Sequence, residues 1–235
     1  MIIINADDFG ISPEVNRAIV NCFEDGIISS TTIMMNMPYC EDAIKLAFEH
    51  GFNESVGLHF NMIEGEPLTT NIKGCERICT DGLFSYKRNS VKKWSRKEAT
   101  AIVEEFEAQL NRMMEMGIKP SHIDSHEHTH TEIPIFNIIK KPILKADINR
   151  IRATRNVGLS KLRIIAKNVI NCYFHIVGFK TTKYFNDITQ QSINVKLDNL
   201  EIMCHPIMMN DTIVDSCRGI EIVKQFDNLS NYRNL

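Results

Sequence analysis

Short apolar runs alternate with amphipathic stretches along most of the chain, and the alternation predicts strand followed by helix. Ile2–Ile4 is a β-rich run, followed by a turn-like polar stretch, Asn-Ala-Asp-Asp-Phe-Gly. Ser12 then Pro13 is a helix start, with Val15, Ala18, Ile19 and Cys22 recurring on one face and Gly26 as the stop. Strands are expected at 30–35 and 55–60, separated by a helix over 41–50 that Gly51 closes. Ser95-Arg-Lys-Glu98 reads as a capping box. The helix it opens runs to about Met116, with Ile102, Phe106, Leu110, Met113 and Met114 as its core stripe. A strand at 121–125 follows, then a helical pattern over 133–143 cut by Pro142. Arg150–Ala153 is a candidate fifth strand, 159–174 a helix and 182–185 a short strand. Leu200–Cys204 is the last clear strand, and Asp215–Phe226 is expected to be a closing helix.

Repeated βα units with buried apolar strands imply an α/β fold with a parallel sheet in a single domain over residues 1–235. Polar residues sit where the predicted strands end: Asp7 and Asp8, His59, the run from Asp124 to His130, Arg152 and His205. In a barrel-like sheet all strand C-termini share one face, where active sites are built. Residues some 200 apart in sequence would then surround one pocket. The irregular stretch 61–94 is long for a compact domain, which marks it as a lid or binding loop.

The chain has 235 residues, 43% hydrophobic and 24% charged, with a formal net charge of -2. That balance excludes a disordered chain and a fold dependent on disulfides. The seven cysteines form no visible framework, so reduced thiols are expected, including the Cys75-x3-Cys79 pair. The N-terminus lacks a signal-peptide pattern and no run is long enough to span a membrane, so a cytoplasmic location is expected, with no membrane partner. Residues 140–167 carry nine Lys or Arg against one acid, and 87–97 carry six against none. A solvated face explains both runs, with a subunit contact or an anionic substrate as alternatives. The single Trp and the absence of an aromatic motif argue against a nucleic-acid partner.

Four of the eight histidines fall between His122 and His130, in the segment H-I-D-S-H-E-H-T-H. Read as extended chain, positions 122, 124 and 126 share a face. Carboxylate and imidazole together suit a divalent metal such as Zn2+, or with less nitrogen Mg2+ or Mn2+. His50 and His175 lie on helical segments and belong to packing or solvent. His59 or His205 taken alone is better explained as a satisfied strand-end residue.

The motifs N-A-D-D-F-G at 5–10, G-L-H-F at 57–60, T-D-G-L-F at 80–84, the segment 122–130 and E-I-M-C-H-P at 201–206 occur in that order. Together they closely resemble the YdjC-like carbohydrate deacetylases, also called ChbG-like chitooligosaccharide deacetylases, from residue 2 to about 226. The resemblance implies an incomplete or distorted (β/α) barrel related to the polysaccharide deacetylases. It implies removal of an acetyl group from an N-acetylated sugar, one divalent metal ion (Mg2+, with Zn2+ also suited), and a homodimer. By position Asp8, His59 and His126 look like the metal ligands, Asp7 the general base and His205 the general acid. Asp124, Arg152 and His128 fall to supporting or substrate-binding roles. The chain departs from the family after His205, reading I-M-M-N where a Gly is expected soon after the proline, and it is shorter over 140–200. Two rivals from other classes are a metal-dependent phosphoesterase on a barrel, which the extra histidines 122, 128 and 130 keep open, and a non-catalytic sugar-binding protein that retains the site.

Overall fold

The computed structural model describes residues 1–188, 198–222 and 224. β1 (Ile2–Phe9), β2 (Ser30–Ile33), β3 (Val56–Phe60), β6 (Ile123–Ser125), β7 (Tyr184–Asp187) and β8 (Leu200–Cys204) form one parallel sheet in the order β6-β3-β2-β1-β8-β7. The sheet is parallel, as the repeated βα pattern implies, and it curls into a half-barrel, the incomplete barrel that the family resemblance implies. β2, β3 and β8 are buried along their whole length, as parallel strands covered on both faces should be. Residues 150–152 span the open side. Ile123 N–H donates to Arg150 O and Arg152 N–H to Ile123 O, both at 3.0 Å, and Ile151 N–H donates to Lys180 O at 3.0 Å. The expected fifth strand is therefore a pair of isolated bridges, Ile123 to Ile151 and Arg150 to Lys180.

Helices α1 (Pro13–Glu24), α2 (Cys40–Glu49), α4 (Arg96–Glu115), α5 (Ile133–Lys145) and α6 (Lys161–Ile176) cover the sheet. Ser12 caps α1, accepting the Val15 N–H at 3.3 Å, and Pro13 occupies its first turn. The capping box of α4 closes as the sequence implies: the Ser95 hydroxyl accepts from Glu98 N–H and Glu98 accepts from Ser95 N–H. Met114 is the one residue of the expected stripe that faces out.

Four expectations need correction. β1 does not stop at Ile4; it runs through the polar stretch to Phe9, because those side chains, apart from the half-buried Asp8, are buried among neighbouring strands rather than solvated. Pro142 does not cut α5, since it lies in the last turn, where one missing N–H costs a single helix bond. The segment after His205 is not followed by a helix from Asp215. It forms a small antiparallel sheet, β9 (Pro206–Met209), β10 (Thr212–Asp215) and β11 (Ile220–Glu221). Asn210 and Asp211 both adopt positive φ, 47° and 62°, the two-residue turn whose twist matches a hairpin. Residues 223 and 225–226 of that expected helix lie outside the described residues. The long connection 61–94 is also less irregular than expected. It holds α3 (Thr70–Lys73) and the hairpin β4 (Cys79–Thr80) and β5 (Leu83–Phe84), and it buries Met62, Ile72, Ile78, Phe84, Tyr86 and Trp94.

Candidate active site

In regular extended chain, Asp7 and Asp8 would face opposite sides. Pairing of β1 with β2 slips between Ala6 and Phe9, so one extra residue bulges from β1, and Asp8 takes a left-handed backbone with φ 68°. The two carboxylates thereby converge on one site at the C-terminal end of the sheet.

Asp8 Oδ1 lies 3.2 Å from His59 Nε2, at the end of β3, and 2.9 Å from His126 Nδ1, just past β6. Ligands held at bonds of 2.0–2.2 Å around one ion stand about 2.8–3.6 Å apart, from octahedral to tetrahedral angles, so this oxygen and two nitrogens fit a single divalent metal. Each histidine is also backed by a carboxylate on its other ring nitrogen. Asp124 Oδ1 is 2.7 Å from His59 Nδ1, and Glu64 Oε1 is 3.3 Å from His126 Nε2. Metal-ligating imidazoles characteristically carry such outer partners, which set ring orientation and basicity. Thr32 adds a hydrogen bond to Asp124 Oδ2 at 3.0 Å.

Burial disfavours the charged rings here, but Asp124 and Asp8 raise the His59 pKa to about 9. Asp8 and Glu64 likewise outweigh burial at His126 and raise it to about 10. Burial pushes the Asp8 carboxyl up, and hydrogen bonds from His126 and His59 more than reverse it, holding the group well below the usual carboxylate range.

Asp7 lies behind this group, with its side chain 2% exposed. Arg152 grips it with both ends of the guanidinium, Nη1 to Oδ2 and Nη2 to Oδ1, each at 2.6 Å. Asn5 Nδ2 donates to Oδ1 at 2.9 Å. Burial raises the Asp7 pKa, but Arg152, His59 and His205 overcome it and keep the carboxylate ionised. Arg152 is itself fully buried and also touches Asp124 (Nη1 to Oδ2, 2.7 Å) and Glu201 (Nε to Oε1, 2.5 Å). Its place is therefore beneath the carboxylates, not on a surface a sugar could reach.

His205 follows β8, with Nε2 4.0 Å from Asp7 Oδ2. Burial opposes its charged form, yet Asp215, Cys217 and the β1 aspartates raise its pKa well above the ordinary value. That company favours the charged ring, the form able to donate a proton.

Of the four clustered histidines, only His126 joins the ligand group. The extended run ends at Ser125; Glu127 and His128 take left-handed backbone (φ 49° and 56°), so the alternation expected over 122–126 does not extend past the strand. His130 is fully buried between Ser125 Oγ (2.6 Å) and Arg152 O (3.2 Å), and burial lowers its pKa to about 3. His128 packs edge-on against Phe185, with ring centroids 5.5 Å apart. His122 lies at the opposite end of the sheet, lining a cavity of about 580 Å3 among the strand N-termini. Its ring occupies the space beside Gly57, where a Cβ would come within 2.6 Å of it. Glu64, Thr32, Asn5, Glu201 and Asp215 were not singled out from sequence. Glu64 alone carried a signal, its place in the long connection.

A pairing of sequences over most of the chain accompanies this geometry. The chain is 31% identical over 98% of its length to a carbohydrate deacetylase of Clostridium beijerinckii, covering 91% of that protein. It is 33% identical over 99% of its length to one of Halalkalibacterium halodurans, covering 96%. A Vibrio cholerae serotype O1 relative of the same name is 31% identical over 93% of the chain, covering 82%. Among solved structures, one from Enterococcus faecalis V583, whose proposed role is cellobiose-phosphate cleavage, superposes with a TM-score of 0.71. It covers 97% of this chain and 84% of its own at 20% identity, a likeness of fold. The model of the YdjC-like protein family matches residues 1–232, and the chain belongs to that family.

Proposed function

We propose that this chain is a metal-dependent carbohydrate deacetylase that hydrolyses the N-acetyl group of acetylated amino sugars or chitooligosaccharide-like oligosaccharides. The carrying observation is the convergence of Asp8, His59 and His126 with Asp7 and His205 on one rim of the sheet. Relatives named carbohydrate deacetylase over nearly the whole chain support the substrate class. A site drawing on residues from Asp7 to His205 also supports a single domain.

Asp8, His59 and His126 would hold the ion, with Asp124 and Glu64 orienting the two rings. The family resemblance implies Mg2+, whereas two imidazole nitrogens and one oxygen favour Zn2+ or a similar ion. When bound, a divalent ion there supplies polarisation of the amide carbonyl and a lowered pKa for water, which lets so weak a base as Asp7 act. Asp7, held in one orientation by Arg152, accepts a proton from the water that attacks the acetyl carbonyl carbon. His205 donates its proton to the amide nitrogen as the C–N bond breaks. One water is consumed, and acetate and a free amino sugar leave.

The test is release of acetate from N-acetylated di- and oligosaccharides, before and after chelation and in Asp8→Ala. Loss in both is expected; acetate release unchanged by metal stripping or by Asp8→Ala overturns the reading. Metal binding without turnover on any acetylated sugar would favour the non-catalytic sugar-binding protein, and turnover of phosphate esters the phosphoesterase.

A homodimer is part of the same proposal. α6 exposes Leu162, Ile165, Val169 and Ile176, 61–82% accessible, with Cys172 completing the spacing of three and four residues. That is the spacing of a helix-pairing seam, and the stripe carries no charge. The same face of a second copy is the occupant that covers it with closed twofold symmetry.

A further inference from the structure

A second group of metal-type ligands stands on the far side of His205. A His205 ring nitrogen, an Asp215 carboxylate oxygen and the Cys217 thiol all lie within 4.8 Å of one another, a group separate from Asp8, His59 and His126. The hairpin of β9 and β10 and the turn that follows it build this place. Asp215 ends β10, and Cys217 sits in the turn leading to β11. The Asp215 carboxylate accepts the His205 N–H (2.8 Å) at one oxygen and the Cys217 N–H (3.1 Å) at the other. Ser216 N–H donates to His205 O at 2.8 Å, and Gly219 N–H to Asp215 O at 2.7 Å. The three residues are therefore held together through their backbones whether or not an ion is present.

His205 Nδ1 is 3.7 Å from Asp215 Oδ2. That is long for a hydrogen bond. It is close to the separation of about 3.3–3.5 Å expected for a nitrogen and an oxygen sharing one tetrahedral zinc. Asp215 is buried while Cys217 is exposed, so the soft ligand faces the side from which an ion would arrive. Imidazole, carboxylate and thiolate together select a thiophilic ion with one position left for water.

We propose that His205, Asp215 and Cys217 form a second, thiolate-containing site for Zn2+ that sequesters His205 and so restrains the enzyme when zinc is in excess. On binding, the Cys217 thiol and the His205 Nδ1–H each release a proton to solvent, and the Nδ1 lone pair so freed is committed to the ion. The ring nitrogen facing Asp7 then belongs to a metal-bound imidazole that can no longer cycle as an imidazolium acid. The ligand set stands independently of the proposed deacetylation; the inhibitory consequence rests on it.

Co2+ titrated into the metal-free protein is the test, because only a thiolate ligand gives an intense sulfur-to-cobalt charge-transfer band. The band is expected in the wild type and in Asp8→Ala, and is absent from Cys217→Ser, which still takes up the first equivalent. No band in the wild type, or a band that survives Cys217→Ser, overturns the site, whatever the enzyme's substrate proves to be. In acetate-release assays, half-inhibition by Zn2+ should move up by about tenfold or more in Cys217→Ser, as loss of a metal partner does. Equal inhibition of both proteins overturns the restraint on His205.

Discussion

Adjacent residues of a strand point apart, so Asp7 and Asp8 share a site only because β1 bulges between them and Asp8 accepts a left-handed backbone. Their surroundings then divide their roles. Asp8 meets two imidazoles, and Asp7 meets a guanidinium. Arg152 is the cation that bridges Asp7, Asp124 and Glu201 in the interior. Arg152→Met should take the guanidinium from three buried carboxylates and cost about 3–5 kcal/mol, measured by urea denaturation. A change under 1 kcal/mol would mean the clamp is not structural. A second residue-scale expectation concerns pH. His59 and His126 have pKa values raised from 6.5 to about 9 and about 10 in the metal-free site. A group raised on folding stabilises fully below its unfolded pKa and loses that contribution as pH rises through the folded one. The metal-free protein should therefore lose stability between about pH 6.5 and 10, while affinity for the ion rises, since the ligands must be deprotonated to bind. Urea midpoints of metal-free protein that stay level across that range would contradict the assignment.

At the scale of elements, the hairpin after β8 determines how His205 is used. Its turn needs two residues with positive φ, which Asn210 and Asp211 tolerate. Asn210→Val places a β-branched side chain at φ 47° and should cost about 1–2 kcal/mol. Asn210→Gly should be nearly neutral, and thermal melts of the two variants separate the explanations. Since β10 ends at Asp215, which holds the His205 backbone, Asn210→Val should also slow acetate release more than its stability loss alone would. The sequence contains this signal, an Asn-Asp pair between two β-rich tetrads. The apolar spacing beyond it fits a helix as well, and periodicity over so short a run does not separate the two. The helices α1 and α4 were legible because caps and stripes are local: Ser12, Pro13, Ser95 and Glu98 act within four residues of themselves.

For the whole molecule, the sheet order sets which distant residues meet. β1 pairs with β2 on one side and β8 on the other, so Asp7, Asp8 and His205 face one another across nearly 200 residues. Among the described residues, no helix is long and apolar enough to cross a membrane, so the exposed stripe of α6 is not part of such a span. If it pairs two copies, light scattering should give a dimer for the wild type and a monomer for the Ile165→Asp, Val169→Asp double variant. A wild-type monomer at micromolar concentration would remove this assignment.

The amino-acid sequence by itself determined the βα order, the helix caps and the set of polar residues at strand ends, because each depends on side chains within a few positions of one another. The histidine cluster could be seen there too, but not its division. His122, His126, His128 and His130 differ only in where the backbone turns after Ser125 and in what each ring meets. The tertiary structure alone decided that Arg152 lies buried under Asp7, that Glu64 backs His126, and that Asp215 and Cys217 reach His205. The reason is physical: those contacts join residues from elements that only strand pairing and burial bring together, and the charge of each site depends on that company.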